Sequence, residues 1–445
     1  MRKYRRAQQS IYDYCGENDI GRQLRGISDI LDNHPQILDL LAKDLIDVEA
    51  VATGRRGLSV ESVFRCLLLK QQFSLTYDSL AFFLEESPTY RTFAQLEQDQ
   101  FPSRSALHSA IRRLQPETLE QVYKLLAIEW ADDGTIDPQV TRIDSTVVHS
   151  NIAEPSDSQL LYDGIRVLSR LLSRSKIKTG VSIKYNDKRK EAKSLSYRIF
   201  HAKKSEKDLL YEDLIHCAHV VLDQVNRALT RVQLEGYKGE HTGHWLNDVF
   251  HYRCLLQQVI DQTQRRVFNN ENVPAAEKIV SLFEPHTDII KKDNSGDTFF
   301  GHKVNLGTDP NGYITFCSIE NGNPADSDLY IDVINTHKDL YGDVPKTTVA
   351  DGGYASKDNV EYAKNAGVCQ RVFHKSLGIG FHDMGIKEKT LKKLKNFRAG
   401  IEGNISELKR RFGLSKSTWK GIDGFHAYVW SSVLSYNLVR QVRPG

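Results

Sequence analysis

Apolar residues recur at helical spacing through the first 133 residues, and polar segments separate the apolar runs. The pattern predicts helices over 27–41, from Ser59 onward, over 77–84, over 103–114 and over Pro116–Asp132. The Asp132-Asp133-Gly134 segment then interrupts the helical pattern. We therefore predict an all-helical N-terminal region over residues 1–133.

The pattern changes after this break to short runs of β-branched and aromatic residues, which are typical of strands. Strands are predicted over 141–148, 299–306, 313–319, 347–354 and 370–373. Asp309-Pro310-Asn311-Gly312 lies between the second and third runs, and Asn-Gly there predicts a hairpin. The order of elements predicts an α/β domain over 138–445, with a mixed five-stranded sheet flanked by helices.

A long helical pattern separates the first predicted strand from the second. Leu160, Leu161, Ile165 and Leu168 follow a period of 3.6, and few strand signals occur before residue 284. We predict that residues 156–290, approximately, form an all-helical insertion in the sheet domain. Lys203-Lys204-Ser205-Glu206-Lys207 adds a basic segment to this insertion.

Composition narrows the class of protein. The chain has 445 residues, of which 40% are hydrophobic, and a formal net charge of only +3, so any nucleic-acid surface must be local. No apolar run approaches the roughly 18 residues of a membrane span, and no apolar segment follows the basic start Met1-Arg2-Lys3, which argues against a secretory signal. The six cysteines form no CxxC pair, so reduced thiols in a cytoplasmic protein are expected.

Two carboxylates stand within or at the end of predicted strands. Asp144 lies in the middle of the first strand, where a charge is costly to bury without a partner. A divalent metal is one such partner; capping a turn or pairing with Arg142 are the alternatives. Asp351 ends a later strand and is followed by Gly352-Gly353, which leaves space beside the carboxylate. The alternative is that Asp351 caps its own turn.

A third candidate segment covers residues 397–412. Read as a helix, it places Arg398, Glu402, Ile405 and Lys409 on one face. Gly400 and Gly403 disfavour the helix by roughly 1 kcal/mol each, and close packing against strands or DNA would explain them. The alternative is an exposed helix with a simple Arg398–Glu402 pair.

The helix at 103–114 suits the reading helix of a helix-turn-helix unit. Ser103 can cap it, and Arg104, His108 and Arg112 supply polar and basic side chains that suit phosphates and base edges. A plain amphipathic core helix with a solvated basic face explains the same residues. Further along the chain, Asp326 precedes a predicted helix and is expected to cap it.

Three of these segments together resemble the DDE signature of bacterial insertion-sequence transposases. They are Asp144-Ser145-Thr146, the Ala350-to-Tyr354 stretch, and Arg398-x3-Glu402-x6-Lys409. The family writes the last part Tyr-x2-Arg-x3-Glu-x6-Lys, and here Lys395 stands at the tyrosine position. The resemblance covers roughly 270–445 and the Asp144 strand, and more loosely the N-terminal helices.

The resemblance implies an RNase H-like catalytic core and an N-terminal DNA-binding region. It implies that Asp144, Asp351 and Glu402 are the catalytic and metal-binding residues. They would hold two Mg²⁺ ions, with Mn²⁺ able to substitute, and Asp144 would bridge both ions. Arg398, Lys409 and Lys395 would bind DNA. The implied partners are the terminal inverted repeats, target DNA and a second copy of the chain, with no membrane.

The implied activity is metal-dependent cleavage at the element ends, followed by joining of the 3′-hydroxyl ends to target DNA in a bacterial cytoplasm, at the nucleoid. Three alternatives stay open on the sequence alone. One is an RNase H-like site-specific nuclease, and another is a domesticated DNA-binding protein without strand transfer. The last is a helical scaffold, in which Asp144, Asp351 and Glu402 would lie far apart.

Overall fold

The computed structural model describes residues 3–5, 16–47, 57–235, 241–291, 296–374 and 378–443. Cys15 and part of the basic start of the chain lie outside these ranges. The chain divides into two compact units: residues 1–151 with 302–445, and residues 152–301.

Seven helices precede the first strand of the first unit, among the residues described there. They are α1 (Asp19–Asn33), α2 (Gln36–Leu45), α3 (Val60–Gln72), α4 (Tyr77–Glu86), α5 (Pro88–Phe93), α6 (Arg104–Ile111) and α7 (Pro116–Asp132). Side chains cap many of them: Ser59 accepts from the N–H of Ser62, and Ser103 accepts from the N–H of Ala106. The predicted start of α3 and the predicted bounds of α7 are confirmed. The single helix predicted over 27–41 is wrong, because the chain breaks at His34-Pro35 between α1 and α2.

The strands of this unit alternate with helices along the rest of the chain. The strands are β1 (Val140–His149), β3 (Thr298–Thr308, from residue 302), β4 (Ile314–Ile319), β5 (Thr347–Ala350) and β6 (Gln370–Phe373). The helices are α13 (Asp326–Tyr341), α14 (Lys357–Ala366), α15 (Phe381–Met384), α16 (Glu388–Arg411) and α17 (Ile422–Gln441).

The strands form a mixed sheet in which β1 is central. β3 lies on one side of β1, and β4 pairs with β3 in antiparallel register across the predicted Asn311-Gly312 turn. β5 lies on the other side in parallel register, with Ile143 opposite Ala350, and β6 follows in parallel. Because β1 and β5 are parallel, Asp144 and Asp351 both lie one residue beyond this matched pair.

Helices cover both faces of the sheet. Ile143, Ala350 and Phe373 pack with α13 and α14 on one face. Val304, Leu306 and Ile314 on the other face join a core built from the N-terminal helices, α16 and α17. Both faces of the sheet therefore pack against buried cores, and most residues of β1 and β5 are buried.

The second unit is mostly helical. It contains α8 (Asp157–Ser173), α9 (Ser175–Thr179), α10 (Arg189–His201), α11 (Lys204–Glu235) and α12 (Thr242–Val267), packed around a core of their own. A short strand, β2 (Asp288–Lys291), pairs in antiparallel register with the first residues of β3. The sheet therefore has six strands and not the predicted five. With only four residues, β2 was too short to show a period-two pattern in the sequence.

Candidate active site

Asp144 occupies the middle of β1 beside an arginine of α16. Its Oδ2 lies 3.5 Å from Nη1 of Arg398, and its Oδ1 accepts a hydrogen bond of 2.8 Å from the Ser145 N–H. Arg142 does not pair with it, so that alternative is not found. Burial raises the pKa of Asp144 to about 6; the Ser145 N–H and the Arg398 charge act against this rise, and the Asp351 and Asp326 charges add to it.

Asp351 follows the last residue of β5 and begins a short 3-10 turn, Gly352–Tyr354. Its side chain makes no capping hydrogen bond, so the structure does not support the turn-capping alternative. Its charge acts on Asp144, which places the two carboxylates in one electrostatic neighbourhood. A Cβ at Gly353 would lie 2.9 Å from Oδ2 of Asp326, so a larger residue at position 353 would crowd the Asp326 carboxylate.

Glu402 is linked to Asp144 through the guanidinium of Arg398. Nη2 of Arg398 donates to Oε1 of Glu402 at 2.5 Å while Nη1 faces Asp144. The helical spacing predicted for this pair is present in α16. Arg398 is only 11% exposed, whereas Glu402 is 57% exposed, so the pair differs from a simple surface ion pair. One guanidinium thus compensates two of the three predicted acids.

Asp326 joins Asp144, Asp351 and Glu402 in one acidic cluster, although its sequence position suggested a helix cap. That prediction is wrong: Ala325 is the capping residue of α13, and Asp326 is the first residue of the helix. Its Oδ1 accepts a hydrogen bond of 3.1 Å from the Ser145 hydroxyl and one of 3.0 Å from Nζ of Lys303. Asp326, Lys303 and Ser145 are therefore functional candidates that the sequence analysis missed.

Arg142 fixes α16 against β1 from the interior of the unit. It is 6% exposed, its Nε donates to Oγ1 of Thr308 at 3.0 Å, and its guanidinium lies 4.7 Å from the centre of the Phe397 ring. A Cβ at Gly400 would overlap Nη1 of Arg142. Close packing therefore explains Gly400. It does not explain Gly403, since no described atom lies within 4 Å of a Cβ built there.

The donor chemistry of the cluster suits a divalent cation. Carboxylate oxygens are the ligands that Mg²⁺ and Mn²⁺ prefer, and like charges already act on the half-buried Asp144. Within the described ranges, however, no three His, Cys, Asp or Glu side chains stand close enough to share an ion. Glu402 is turned toward Arg398, so it would have to exchange this partner to complete such a set.

The remaining predicted DNA-binding residues are spread over two places. Arg104 is 70% exposed and lies 3.4 Å from Asp78, and the His108 ring packs edge-on against Tyr77. Burial, followed by the charges of Arg112 and Arg104, lowers the pKa of His108. Arg112 has an internal role, because Nη2 donates to the Lys420 carbonyl at 2.8 Å and the guanidinium covers Trp419.

The two predicted lysines lie on α16 with Arg398. Lys395 and Lys409 are both half-buried, and the Lys409 carbonyl accepts from the Ser415 hydroxyl at 3.0 Å. They place positive charge about two turns from Glu402 in each direction along the same helix. None of the helices in the described ranges is both long enough and apolar enough to span a bilayer.

Two family models match the chain. Residues 254–438 match the model described as Transposase DDE domain, and residues 15–113 match the one described as Transposase domain (DUF772). The first match includes Asp351 and Glu402, and the second includes Arg104 and His108. The mixed sheet with flanking helices is compatible with the RNase H-like fold of DDE domains. No curated protein and no solved structure matches the chain significantly.

Proposed function

Because this chain belongs with the insertion-sequence DDE transposases, we propose that it binds the terminal inverted repeats of its element, cuts the DNA there and joins the freed ends to target DNA. Asp144, Asp351 and Glu402 are the proposed catalytic residues. The observation that carries the proposal is the shared neighbourhood of Asp144, Asp351 and Arg398, with Glu402 bonded to the same guanidinium.

The proposed reaction has two steps at phosphorus. Water adds to a phosphodiester at the element end, and the bond from phosphorus to the 3′-oxygen breaks. The products are a 3′-hydroxyl and a 5′-phosphate. The 3′-hydroxyl then attacks a phosphodiester of the target DNA, which forms one new phosphorus–oxygen bond and releases a target 3′-hydroxyl.

The three acids would hold two Mg²⁺ ions, with Mn²⁺ able to substitute. Divalent cations in such sites polarise the phosphate and favour ionisation of water. The position of Asp144 within β1 gives one ligand a rigid backbone, and the turn after Asp351 leaves space beside the second. Glu402, on the exposed side of α16, is the ligand that can change partners.

Arg398 is the proposed phosphate-binding residue. Its planar guanidinium can hold two phosphate oxygens at once, and DNA would supply a new anionic partner when Glu402 turns away. Lys395 and Lys409 extend the positive charge along α16, so they would contact neighbouring phosphates. Arg104, the first residue of α6, and His108, in its last turn, are proposed to contact the duplex repeats. Two copies of the chain would hold the two element ends together.

A cleavage assay tests this proposal. The substrate is a labelled duplex carrying the inverted repeat found beside the gene, incubated with the chain and Mg²⁺. We expect nicking at the repeat and, with added target DNA, joined products. Asp144→Asn should reduce cleavage by more than about hundredfold, since even residues behind a metal ligand contribute about 10–100-fold. Binding of the same duplex should be largely retained.

Asp332→Asn is the matched control. Asp332 is an exposed acid on α13, six residues beyond Asp326, and its substitution should leave cleavage unchanged. Full cleavage by Asp144→Asn would overturn the assignment of the site. Cleavage without any joined product would favour a site-specific nuclease over a transposase.

A further inference from the structure

The outer face of α10, in the second unit, carries two exposed aromatic side chains. Tyr197 is 67% exposed and Phe200 is 76% exposed. Both contact the ring of His201, with centroid distances of 4.4 Å to Tyr197 and 5.0 Å to Phe200. Rings clustered in this way on a surface mark an interaction site more often than isolated exposed residues do.

The position of these rings follows from the helix geometry. Ala192, Leu195 and Ile199 point into the core of the second unit, so they fix α10 against its neighbours. Lys193 and Tyr197 are four residues apart, and Phe200 follows after three more, so all three lie on the opposite, exposed face. The rings of Tyr197 and Phe200 therefore do not contribute to the packing of α10 against the rest of its unit.

Exposed basic residues flank the two rings along the chain. Within the described part of the chain, no carboxylate lies within ion-pair distance of four exposed basic residues at and just after α10: Lys193, Arg198, Lys203 and Lys204. The start of the same helix differs, because Lys188 pairs with Glu191 and Arg189 with Asp187. The positive charge is thus left free where the rings are exposed.

We propose that this aromatic–basic face of α10 binds single-stranded DNA. The cations would neutralise phosphates, and Tyr197 and Phe200 would stack on unpaired bases, a combination that recurs in proteins that bind single strands. Duplex DNA keeps its bases stacked inside, so it can use the cations but not the rings. The inference rests on the proposed function, because DNA cutting and joining supply unpaired strands.

The surface fits a nucleic acid better than a lipid bilayer. An amphipathic membrane helix presents a broad apolar face to the bilayer. The apolar residues of α10 are buried inside its own unit, and its exposed face offers two rings among cations. A strand of DNA matches both the charge and the ring faces.

The test is a fluorescence anisotropy titration with a labelled oligothymidylate and with a duplex of the same length. The full chain is compared with the double variant Tyr197→Ala/Phe200→Ala. Because stacking on an aromatic side chain contributes substantially per base, we expect the variant to lose at least about tenfold in single-strand affinity. The duplex affinity should change by less than about twofold, since the cations are untouched.

Phe250→Ala is the matched control. Phe250 is another exposed aromatic residue of the second unit, 52% exposed on α12, and its loss should leave both affinities unchanged. Tyr197→Phe keeps the ring and should retain single-strand binding, which separates stacking from the hydroxyl. Far-UV circular dichroism of each variant should match that of the wild type, because the changed side chains are exposed.

Equal losses on duplex and single strand, or no loss on either, would overturn the inference. So would a loss confined to binding of phosphatidylserine vesicles, or a loss of self-association with DNA affinity unchanged. The cleavage assay is independent of this titration: failure of Asp144→Asn to affect cleavage would remove the proposed function, while a single-strand defect of the α10 variant would stand.

Discussion

The position of Asp144 in β1 has two opposing consequences for its carboxylate. Its position in β1, with buried neighbours on both sides in the sheet, gives the carboxylate a fixed location. The same burial disfavours its charged form, and Arg398 offers a compensating positive charge at 3.5 Å. A site organised in this way stores unfavourable free energy until a cation or a substrate compensates it.

Asp144→Asn should therefore stabilise the folded chain at neutral and higher pH. The pKa of Asp144 rises from 3.8 to about 6 on folding, chiefly through burial, so the folded chain binds more protons than the unfolded chain between these values. Stability is consequently lost as the pH rises through this window. We expect a gain of about 1–3 kcal/mol in the free energy of unfolding at about pH 8, measured by urea denaturation without divalent ions.

The gain should shrink as the pH falls through the window between about 6 and 3.8, and disappear below about pH 3, where the carboxyl is protonated in both states. A gain that persists unchanged at low pH would show that side-chain packing, and not ionisation, causes the effect. A variant less stable than the wild type at about pH 8 would show that the Arg398 pair outweighs the burial of the charge.

The sequence identifies the candidate acids Asp144, Asp351 and Glu402 but not all of the residues that contact them. Asp144 and Asp351 stand out because a charge interrupts or ends an apolar run. Asp326 was predicted to be a helix cap because it precedes a helix. Its actual partner, Ser145, lies 181 positions earlier in the chain, and local sequence does not reveal such a contact. Arg142 was considered only as a partner of Asp144, whereas its hydrogen bonds go to Thr308 and the Asp309 carbonyl.

The element that most affects the site is α16. It carries Arg398 and Glu402, and Arg142 holds it against β1 through the space that Gly400 leaves. Gly403, only one turn further, faces open space. Gly400 and Gly403 look alike in the sequence, but close packing requires a glycine at position 400 and not at position 403.

The two glycines predict opposite effects of alanine on stability. Gly400→Ala should destabilise the chain by about 1–3 kcal/mol, because the new methyl group overlaps the buried Arg142 guanidinium. Gly403→Ala should stabilise it by about 0.5–1 kcal/mol, because alanine favours the helix and meets no neighbour. Thermal or urea unfolding of the two variants measures both changes.

Arg142→Ala provides the control for this pair. Without the guanidinium, Gly400→Ala should cost nothing further, whereas the effect of Gly403→Ala should stay the same. Changes of the same sign at both positions would contradict the packing described here.

Element prediction succeeded where local chemistry determines the structure. The caps at Ser59 and Ser103 and the Asn311-Gly312 hairpin are local signals, and each marks the boundary expected. The strand predicted over 347–354 ends at Ala350, because Gly352–Tyr354 forms a 3-10 turn. β2 depends on pairing with β3, and such pairing leaves little trace in four residues.

At the scale of the whole molecule, the small net charge of +3 means that DNA contacts must be concentrated in patches. Two patches are visible in the described residues: the basic residues of α16 beside the acids, and the unpaired cations at and just after α10. The family matches support DNA as the partner, whereas the domain limits and the pairing of two copies stay predictions from the sequence.

Mn²⁺ electron paramagnetic resonance tests directly whether Asp144, Asp351 and Glu402 together hold divalent ions. Titration of the full chain with its DNA substrate should show bound Mn²⁺ that is lost or strongly weakened in Asp144→Asn, Asp351→Asn and Glu402→Gln, and retained in Asp332→Asn. Bound Mn²⁺ of undiminished affinity in all three site variants would contradict the account.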